Sequence, residues 1–119
     1  MDEITIYEKP TCSKCRVAIQ IVDEHGVPYR DVRYHDEPLS KKKLAELIRK
    51  IGIAPRELLR KEDPVYKKLQ FKPDELTDAK IIELMIEYPD LMQRPILERG
   101  ERAIVGRPSA RVLEFLKEK

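Results

Sequence analysis

The chain has no long apolar run and little excess of either charge. No stretch of its 119 residues approaches the roughly 20 consecutive apolar residues that span a bilayer, so we expect no membrane association. Lys and Arg number 24 against 22 Asp and Glu, and the resulting net charge of +2 is too weak to indicate a nucleic-acid partner. The opening residues Met1-Asp2-Glu3 lack the basic start and apolar segment of a secretory signal. We therefore expect a cytoplasmic protein.

Cysteine is also scarce, and the two that occur, Cys12 and Cys15, lie three positions apart. In a reducing cytosol such a pair is more often catalytic or metal-binding than structural. A zinc site would need two more ligands, and neither histidine has convincing spacing. We interpret His25 as a helix-end residue and His35 as a surface loop residue, with contact to the site as the less favoured alternative. The pair therefore indicates thiol redox chemistry, and we expect no metal.

Hydrophobic spacing predicts a strand-helix-strand unit around the cysteines. Residues 4–7 have a strand pattern, residues 13 to about 25 repeat apolar side chains at helical spacing, and residues 29–34 alternate as a second strand. Gly26 is placed to close the helix. The two cysteines therefore lie on the first turn of this helix.

The middle of the chain is predicted to be entirely helical, with helix starts at Ser40, Pro55, Pro64 and Thr77. A hairpin follows at 96–97 and 103–105, and a final helix is expected to start at Pro108. We predict one α/β domain, residues 1–119, with a mixed sheet in the order β-α-β … β-β-α. The core comprises about 1–38 and 92–119, and an all-helical insert comprises about 39–91.

The position of the cysteines on the helix predicts which thiol reacts. A thiol reacts as its thiolate, and an unperturbed cysteine has a pKa of about 8.5. The free N–H groups and partial positive charge of a helix N-terminus, together with Lys14 and Arg16, favour the thiolate of Cys12. Cys15 lies one turn deeper on the same side, where it can attack a bond formed on Cys12.

Four segments, each containing an arginine, occur in a fixed order along the chain. They are Ile6-Tyr7 leading to Pro10-Thr11-Cys12 and Arg16, then Leu58-Leu59-Arg60, then Arg94-Pro95-Ile96, and then Gly106-Arg107-Pro108-Ser109. Together they resemble the ArsC family of arsenate reductases, in register over nearly the whole chain. The resemblance implies a thioredoxin-like fold with a helical insert.

The resemblance also implies roles for individual residues. The residue matching Cys12 is the family's nucleophile, and Cys15 is the candidate second thiol. The arginines that hold the oxyanion in the family match Arg60, Arg94 and Arg107. The resemblance further implies that Pro95 is cis and faces the cysteine. We expect Arg16 to support the site.

The charges of these residues suit such roles. Arsenate is largely a dianion at neutral pH, so an attacking thiolate meets a like charge, which planar guanidinium donors offset. Arg107 precedes the helix expected from Pro108, where the dipole disfavours a cation unless an anion binds there. Arg60 is equally well interpreted as a solvated surface residue, since Arg56 or Lys61 could substitute for it.

Two residues depart from the family pattern. Glutathione-coupled members usually carry Ser at the position of Cys15 and commonly His at that of Glu8. A carboxylate near Cys12 would oppose formation of the thiolate. Cys15 would allow a local disulfide that replaces glutathione as the second thiol, or competes with it.

The leading hypothesis is reduction of arsenate to arsenite through Cys12, without metal, flavin or other bound cofactor. The electron donor would be glutathione with glutaredoxin, or a protein dithiol such as thioredoxin. Two alternatives stay open: a general thiol-disulfide oxidoreductase of the same fold, and a redox-sensing regulator of the Spx type. Spx-type regulators share the fold and a Cys-x-x-Cys pair, and they bind RNA polymerase. The pair Arg107-Pro108 matches the reductases and is the discriminating feature.

Overall fold

The computed structural model describes residues 3–70 and 72–117. Contacts within the chain divide it into two units: one runs to Glu37 and resumes at Arg94, and the other comprises Pro38–Gln93. Met1 and Asp2, on which the expectation about a secretory signal partly rests, lie outside the described residues. Within the described ranges, no helix combines the length and the apolar character that crossing a membrane requires.

The first unit is built on a mixed sheet of four described strands. They are β1 (Ile4–Glu8), β2 (Tyr29–Arg33), β3 (Ile96–Arg99) and β4 (Arg102–Val105). Their order is β2-β1-β3-β4, with β2 parallel to β1 and the other neighbouring pairs antiparallel. A parallel pair needs a crossover, which helix α1 (Ser13–Glu24) supplies between β1 and β2.

Helix α1 and the C-terminal helix α5 (Ala110–Lys117) pack together beside this sheet. Their inward side chains join those of the central strands in one apolar cluster. The cluster comprises Ile4, Ile6, Ala18, Val22, Leu97, Val112 and Phe115. Full burial of a Val, Leu or Phe side chain contributes about 1.5–3 kcal/mol. Because Ala18 and Val22 are four positions apart on one face of α1, this burial fixes the helix against the strands.

The second unit is helical in its described residues, as the periodicity predicts. It contains α2 (Lys41–Ile51), α3 (Pro64–Leu69) and α4 (Asp78–Glu87), with short 3₁₀ segments at Pro55–Leu58, Pro73–Glu75 and Pro89–Leu91. The side chains of Ser40, Asp63 and Thr77 accept backbone N–H bonds at the starts of α2, α3 and α4. Gly52 ends α2 with a φ of 83°, in the left-handed region that glycine adopts without penalty.

The predicted α/β class and the strand order β-α-β … β-β-α are confirmed. One helix start is wrong: α5 begins at Ala110 and not at Pro108. The Pro108 and Ser109 carbonyls accept from N–H groups three positions on, at 3.0 Å each, so the chain turns tightly there before the four-residue bonds of α5 begin.

Candidate active site

The sheet topology brings four chain segments to one edge. Strand β1 runs toward this edge and continues to Cys12, and the parallel strand β2 ends there before Tyr34. Strand β3 runs the opposite way, so Arg94 lies just before its start at the same edge. Strand β4 is antiparallel to β3 and again ends there, two residues before Arg107. The candidate site is therefore assembled from the ends of all four described strands.

Cys12 is the N-cap residue of α1, with extended backbone angles of φ −84° and ψ 119°. Its Sγ accepts a hydrogen bond from the Cys15 N–H at 3.4 Å, which uses one of the unpaired donors of the first helical turn. The Cys12 N–H donates to the Lys9 carbonyl at 2.9 Å and holds the loop before the helix. Both thiols are free, and Cys12 is 8% exposed. This geometry suits a thiolate at the start of a helix.

The pKa of Cys12 is lowered to about 7 by its neighbours. Burial by itself raises the pKa, because it disfavours the charged sulfur. The thiol and the backbone N–H of Cys15 outweigh this effect by hydrogen bonding to Cys12, and the Arg94 guanidinium adds a further bond and an opposite charge. A substantial fraction of Cys12 is therefore thiolate at neutral pH.

Cys15 has the opposite character. Its side chain is fully buried on α1, and burial is the main reason that its pKa is raised to about 12. A hydrogen bond from the Lys9 backbone lowers the pKa, but the charges of Cys12 and Glu8 raise it. The pair therefore combines one acidic thiol and one thiol that stays protonated at neutral pH.

Arg107 reaches the reactive sulfur from the far end of the chain. Its Nη2 lies 3.7 Å from Cys12 Sγ, and its Nε donates to the Arg94 carbonyl at 2.6 Å. The second bond fixes the guanidinium, so its charge is aimed at the sulfur. The sequence predicted that the dipole of a helix beginning at Pro108 would act on Arg107. Its side chain instead contacts the Cys12 sulfur and the Arg94 carbonyl, which lies just before β3.

Arg94 is the second cation beside the sulfur, and its side chain is buried, with 6% exposure. Burial opposes its charge, yet interactions with Tyr34 and Cys12 raise the pKa of Arg94, so the guanidinium stays charged. The Arg94–Pro95 peptide bond is cis, as expected, and Pro95 is buried. The Arg107–Pro108 bond is cis as well, which the sequence reasoning did not anticipate.

Gly106 explains why the segment before Arg107 can pass so close to the sheet. Its N–H donates to the Pro95 carbonyl at 2.8 Å. A Cβ at this position would come within 3.1 Å of Pro95, Leu97 and Val112 side chains. Only the absence of a side chain permits this approach without displacement.

The sequence predicted that Glu8 would oppose the Cys12 thiolate. The effect of its charge falls instead on Cys15. Glu8 is 2% exposed, and burial together with Asp31 raises its pKa to about 7, although the Arg33 guanidinium lowers it. The Arg33 Nε lies 3.6 Å from the Glu8 carboxylate. The charge of Glu8 acts on Cys15, whose pKa it raises. Glu8 therefore helps to keep the buried thiol protonated.

Tyr34 belongs to this neighbourhood and was missed by the sequence reasoning, which treated it only as a strand residue. It is 2% exposed, and its hydroxyl experiences the charges of Arg94 and both cysteines. His35, interpreted from sequence as a surface loop residue, is half-buried, and its ring centroid lies 4.8 Å from that of Tyr34. The only sequence signal was the position of Tyr34 at the end of a strand parallel to β1.

Two predicted site residues have other surroundings. Arg16, like Lys14, is exposed on the first turn of α1, and Arg94 supplies the cationic effect on Cys12 that was expected from them. Arg60 belongs to the second unit, where its Nη1 lies 2.9 Å from the Asp63 carboxylate and also donates to the Asp90 carbonyl at 3.4 Å. It is therefore a partly buried, paired residue of that unit and not a solvated one.

Among residues 3–70 and 72–117, no group of three or more His, Cys, Asp or Glu side chains is placed to hold a metal ion. The chemistry that the site itself can support is that of a thiolate with two guanidinium groups and a second thiol.

The sequence of this chain is similar to those of known proteins. The sequence profile of the ArsC family matches residues 7–115. An arsenate reductase of Neisseria meningitidis serogroup A is 34% identical over 109 residues, covering 91% of this chain and 93% of that protein. The Escherichia coli K12 protein YfgD, described as uncharacterized, is 34% identical over 115 residues, covering 96% and 97%.

A solved structure, the arsenate reductase from Vibrio cholerae, is also similar. It superposes with a TM-score of 0.89 at 30% identity, covering 95% of this chain and 97% of that one. The expected thioredoxin-like fold is therefore confirmed.

Proposed function

Because this chain belongs to the ArsC family, we propose that it reduces arsenate to arsenite through the thiolate of Cys12. The observation that carries the proposal is the Arg107 guanidinium, whose Nη2 lies 3.7 Å from Cys12 Sγ. A cation there stabilises the sulfur anion and can also bind the oxygen atoms of an anion that the sulfur attacks. Arg94 adds a second, buried cation. The substrate class is thus a small tetrahedral oxyanion.

In the first step, the Cys12 thiolate attacks arsenic(V). A sulfur–arsenic bond forms, an arsenic–oxygen bond breaks, and the oxygen leaves as water with protons from solvent. Both reactants are negatively charged, so the barrier contains a repulsion that Arg94 and Arg107 offset. For Arg60, the third family arginine, the resemblance implies the same oxyanion-binding role, and this stays a prediction.

In the second step, another thiol attacks the sulfur of Cys12. A disulfide forms, the sulfur–arsenic bond breaks, and its electron pair stays on arsenic, which goes from +5 to +3. We propose that Cys15 is this thiol, since its side chain already hydrogen-bonds to Cys12. Cys15 gives up its thiol proton in this step, to the departing arsenite or to solvent.

The third step returns the Cys12–Cys15 disulfide to two thiols. This consumes two electrons, which we propose come from glutathione with glutaredoxin or from the dithiol of thioredoxin. An external thiolate attacks a disulfide at its more accessible sulfur, and Cys12 is more exposed than Cys15. The external donor should therefore form its mixed disulfide with Cys12.

The test is an assay of arsenate-dependent NADPH consumption. One arm contains glutathione, glutaredoxin and glutathione reductase, and the other contains thioredoxin and thioredoxin reductase. We expect a rate in at least one arm and none for Cys12→Ser. Cys15→Ser should lose the thioredoxin-driven rate and keep a glutathione-driven one.

Absence of an arsenate-dependent rate in both arms would reject the proposed function. A protein that reduces disulfide substrates but not arsenate would support the general oxidoreductase alternative. If Cys15→Ser retains the full rate in both arms, Cys15 is not the second thiol.

A further inference from the structure

Tyr34 lies at the same sheet edge as the candidate site, and none of the proposed steps uses its side chain. It follows β2 directly, and β2 is parallel to β1, so the chain emerges beside the segment that carries Cys12. The starts and ends of β3 and β4 bring Arg94 and Arg107 to the same edge. The topology thus groups one tyrosine with one sulfur and two cations.

The Tyr34 hydroxyl is buried without an acceptor from the protein. Its side chain is 2% exposed, and Oη, which interacts with the Arg94 guanidinium, has no acceptor for its own proton within residues 3–70 and 72–117. Buried polar groups are nearly always paired, so an exception needs an explanation. Tyr7 gives the contrast, because its equally buried hydroxyl donates to Glu98 Oε1 at 2.6 Å.

The charged groups around Tyr34 define what the hydroxyl can do. Burial raises the pKa of Tyr34. The charge of Arg94 and a hydrogen bond with its guanidinium oppose this rise, and the charges of Cys15 and Cys12 reinforce it. The phenol therefore stays protonated at neutral pH and can donate. A guanidinium carries only donors, so Arg94 cannot accept this proton. The missing partner is an acceptor, and the surrounding cations favour an anionic one.

We propose that the Tyr34 hydroxyl donates a hydrogen bond to an oxygen of the anion held by Arg94, Arg107 and Cys12. The inference rests on the proposed function and extends it by one substrate-contacting residue. After sulfur attack, an arsenate group keeps three oxygens, and two guanidiniums with one hydroxyl supply donors of different charge for them. The neutral donor adds directional binding without further raising the positive charge of the pocket.

The test compares Tyr34→Phe with Tyr7→Phe, a matched removal of one buried hydroxyl. Phosphate serves as a non-reducible probe, and its half-protecting concentration is measured against alkylation of Cys12 by iodoacetamide. The kcat/KM for arsenate and the melting temperature are measured in parallel. For Tyr34→Phe we expect a roughly tenfold higher half-protecting concentration and a roughly tenfold lower kcat/KM, with no fall in melting temperature.

The control should show the reverse pattern. Tyr7→Phe removes a paired hydroxyl, so its melting temperature should fall while its half-protecting phosphate concentration stays within twofold of wild type. If Tyr34→Phe stays within twofold of wild type in both phosphate protection and kcat/KM, the inference is overturned. It is also overturned if Tyr34→Phe fails to fold or loses as much melting temperature as Tyr7→Phe, because the hydroxyl then has a structural partner.

The measurement separates this inference from the proposed function. If wild type does not reduce arsenate, but phosphate protects Cys12 and Tyr34→Phe weakens that protection, the hydroxyl contact stands and the reductase proposal fails. If neither phosphate nor arsenate protects Cys12 in wild type, both are overturned.

Discussion

Arg107 and Cys12 are 95 positions apart, yet Arg107 Nη2 lies 3.7 Å from Cys12 Sγ. The bond from Arg107 Nε to the Arg94 carbonyl, at 2.6 Å, orients the guanidinium toward the sulfur. Because β1 and β4 flank β3 and point the same way, the residues that follow them meet at one edge. The strand order thus brings these two side chains together.

Arg107→Ala should lower kcat/KM for arsenate by about 100-fold, as removal of one preorganised donor to a reacting oxyanion typically does. Arg107→Lys should lose less, since it keeps the charge but not the two-point attachment to Cys12 and Arg94. The NADPH-coupled assay measures both. Arg111→Ala, on the exposed face of α5, changes the net charge equally and should stay within twofold of wild type. A similar loss for Arg111→Ala would attribute the effect to overall charge.

The alkylation rate of Cys12 should follow a titration with a midpoint near pH 7, since the pKa of this thiol is about 7. The rate should rise with pH below the midpoint and level off above it, because the thiolate is the reacting form. Arg94→Met removes a lowering influence and should move the midpoint to higher pH. Arg16→Met, at an exposed position, should move it less. A larger shift for Arg16→Met would support the prediction from sequence that Arg16 stabilises the Cys12 thiolate.

Glu8→Gln should stabilise the protein at pH 8 and leave its stability near wild type at pH 4. The pKa of Glu8 is raised to about 7 in the folded state, so the folded protein binds the proton more tightly than the unfolded chain does. Ionisation therefore costs stability as the pH rises from about 4.5 through 7, and Gln removes this cost. We expect a gain of about 1–3 kcal/mol at pH 8 by urea unfolding. The exposed control Glu37→Gln should show no such difference between the two pH values.

Arg60→Ala should lower kcat/KM for arsenate if Arg60 holds the oxyanion. It also breaks the ion pair with Asp63, so Asp63→Asn serves as the matched variant that loses the pair and keeps the guanidinium. Asn can still cap α3, as Asp63 does through the Val65 N–H. Arg56→Ala, which removes only an exposed pair with Asp74, should keep its activity. Equal losses for Arg60→Ala and Asp63→Asn would indicate that Arg60 acts through the structure of the second unit.

The helix starts were predictable because they depend on neighbouring residues. Ser40, Asp63 and Thr77 each cap the helix that follows them with their own side chains, and such contacts span two or three positions. Cys12 was predictable in the same way, as an N-cap thiol whose sulfur accepts the Cys15 N–H. The start of α5 was predicted two residues early, because the first bonds after Pro108 span three positions and not the four of an α-helix.

Local spacing was sufficient for the strand and helix pattern, the acidic thiol at the start of α1 and its deeper partner, since hydrogen bonds and side-chain periodicity act over a few residues. Local spacing did not identify the cation that lowers the pKa of Cys12. The sequence suggested the exposed Arg16, four positions away, but the buried Arg94 has this effect. Electrostatic interaction depends on distance in space and on burial, and both are set when β3 inserts between β1 and β4. The pairing of β2 with β1 likewise brings Tyr34 to the edge that holds the sulfur, and its position at the end of a strand was the only sign of this along the chain.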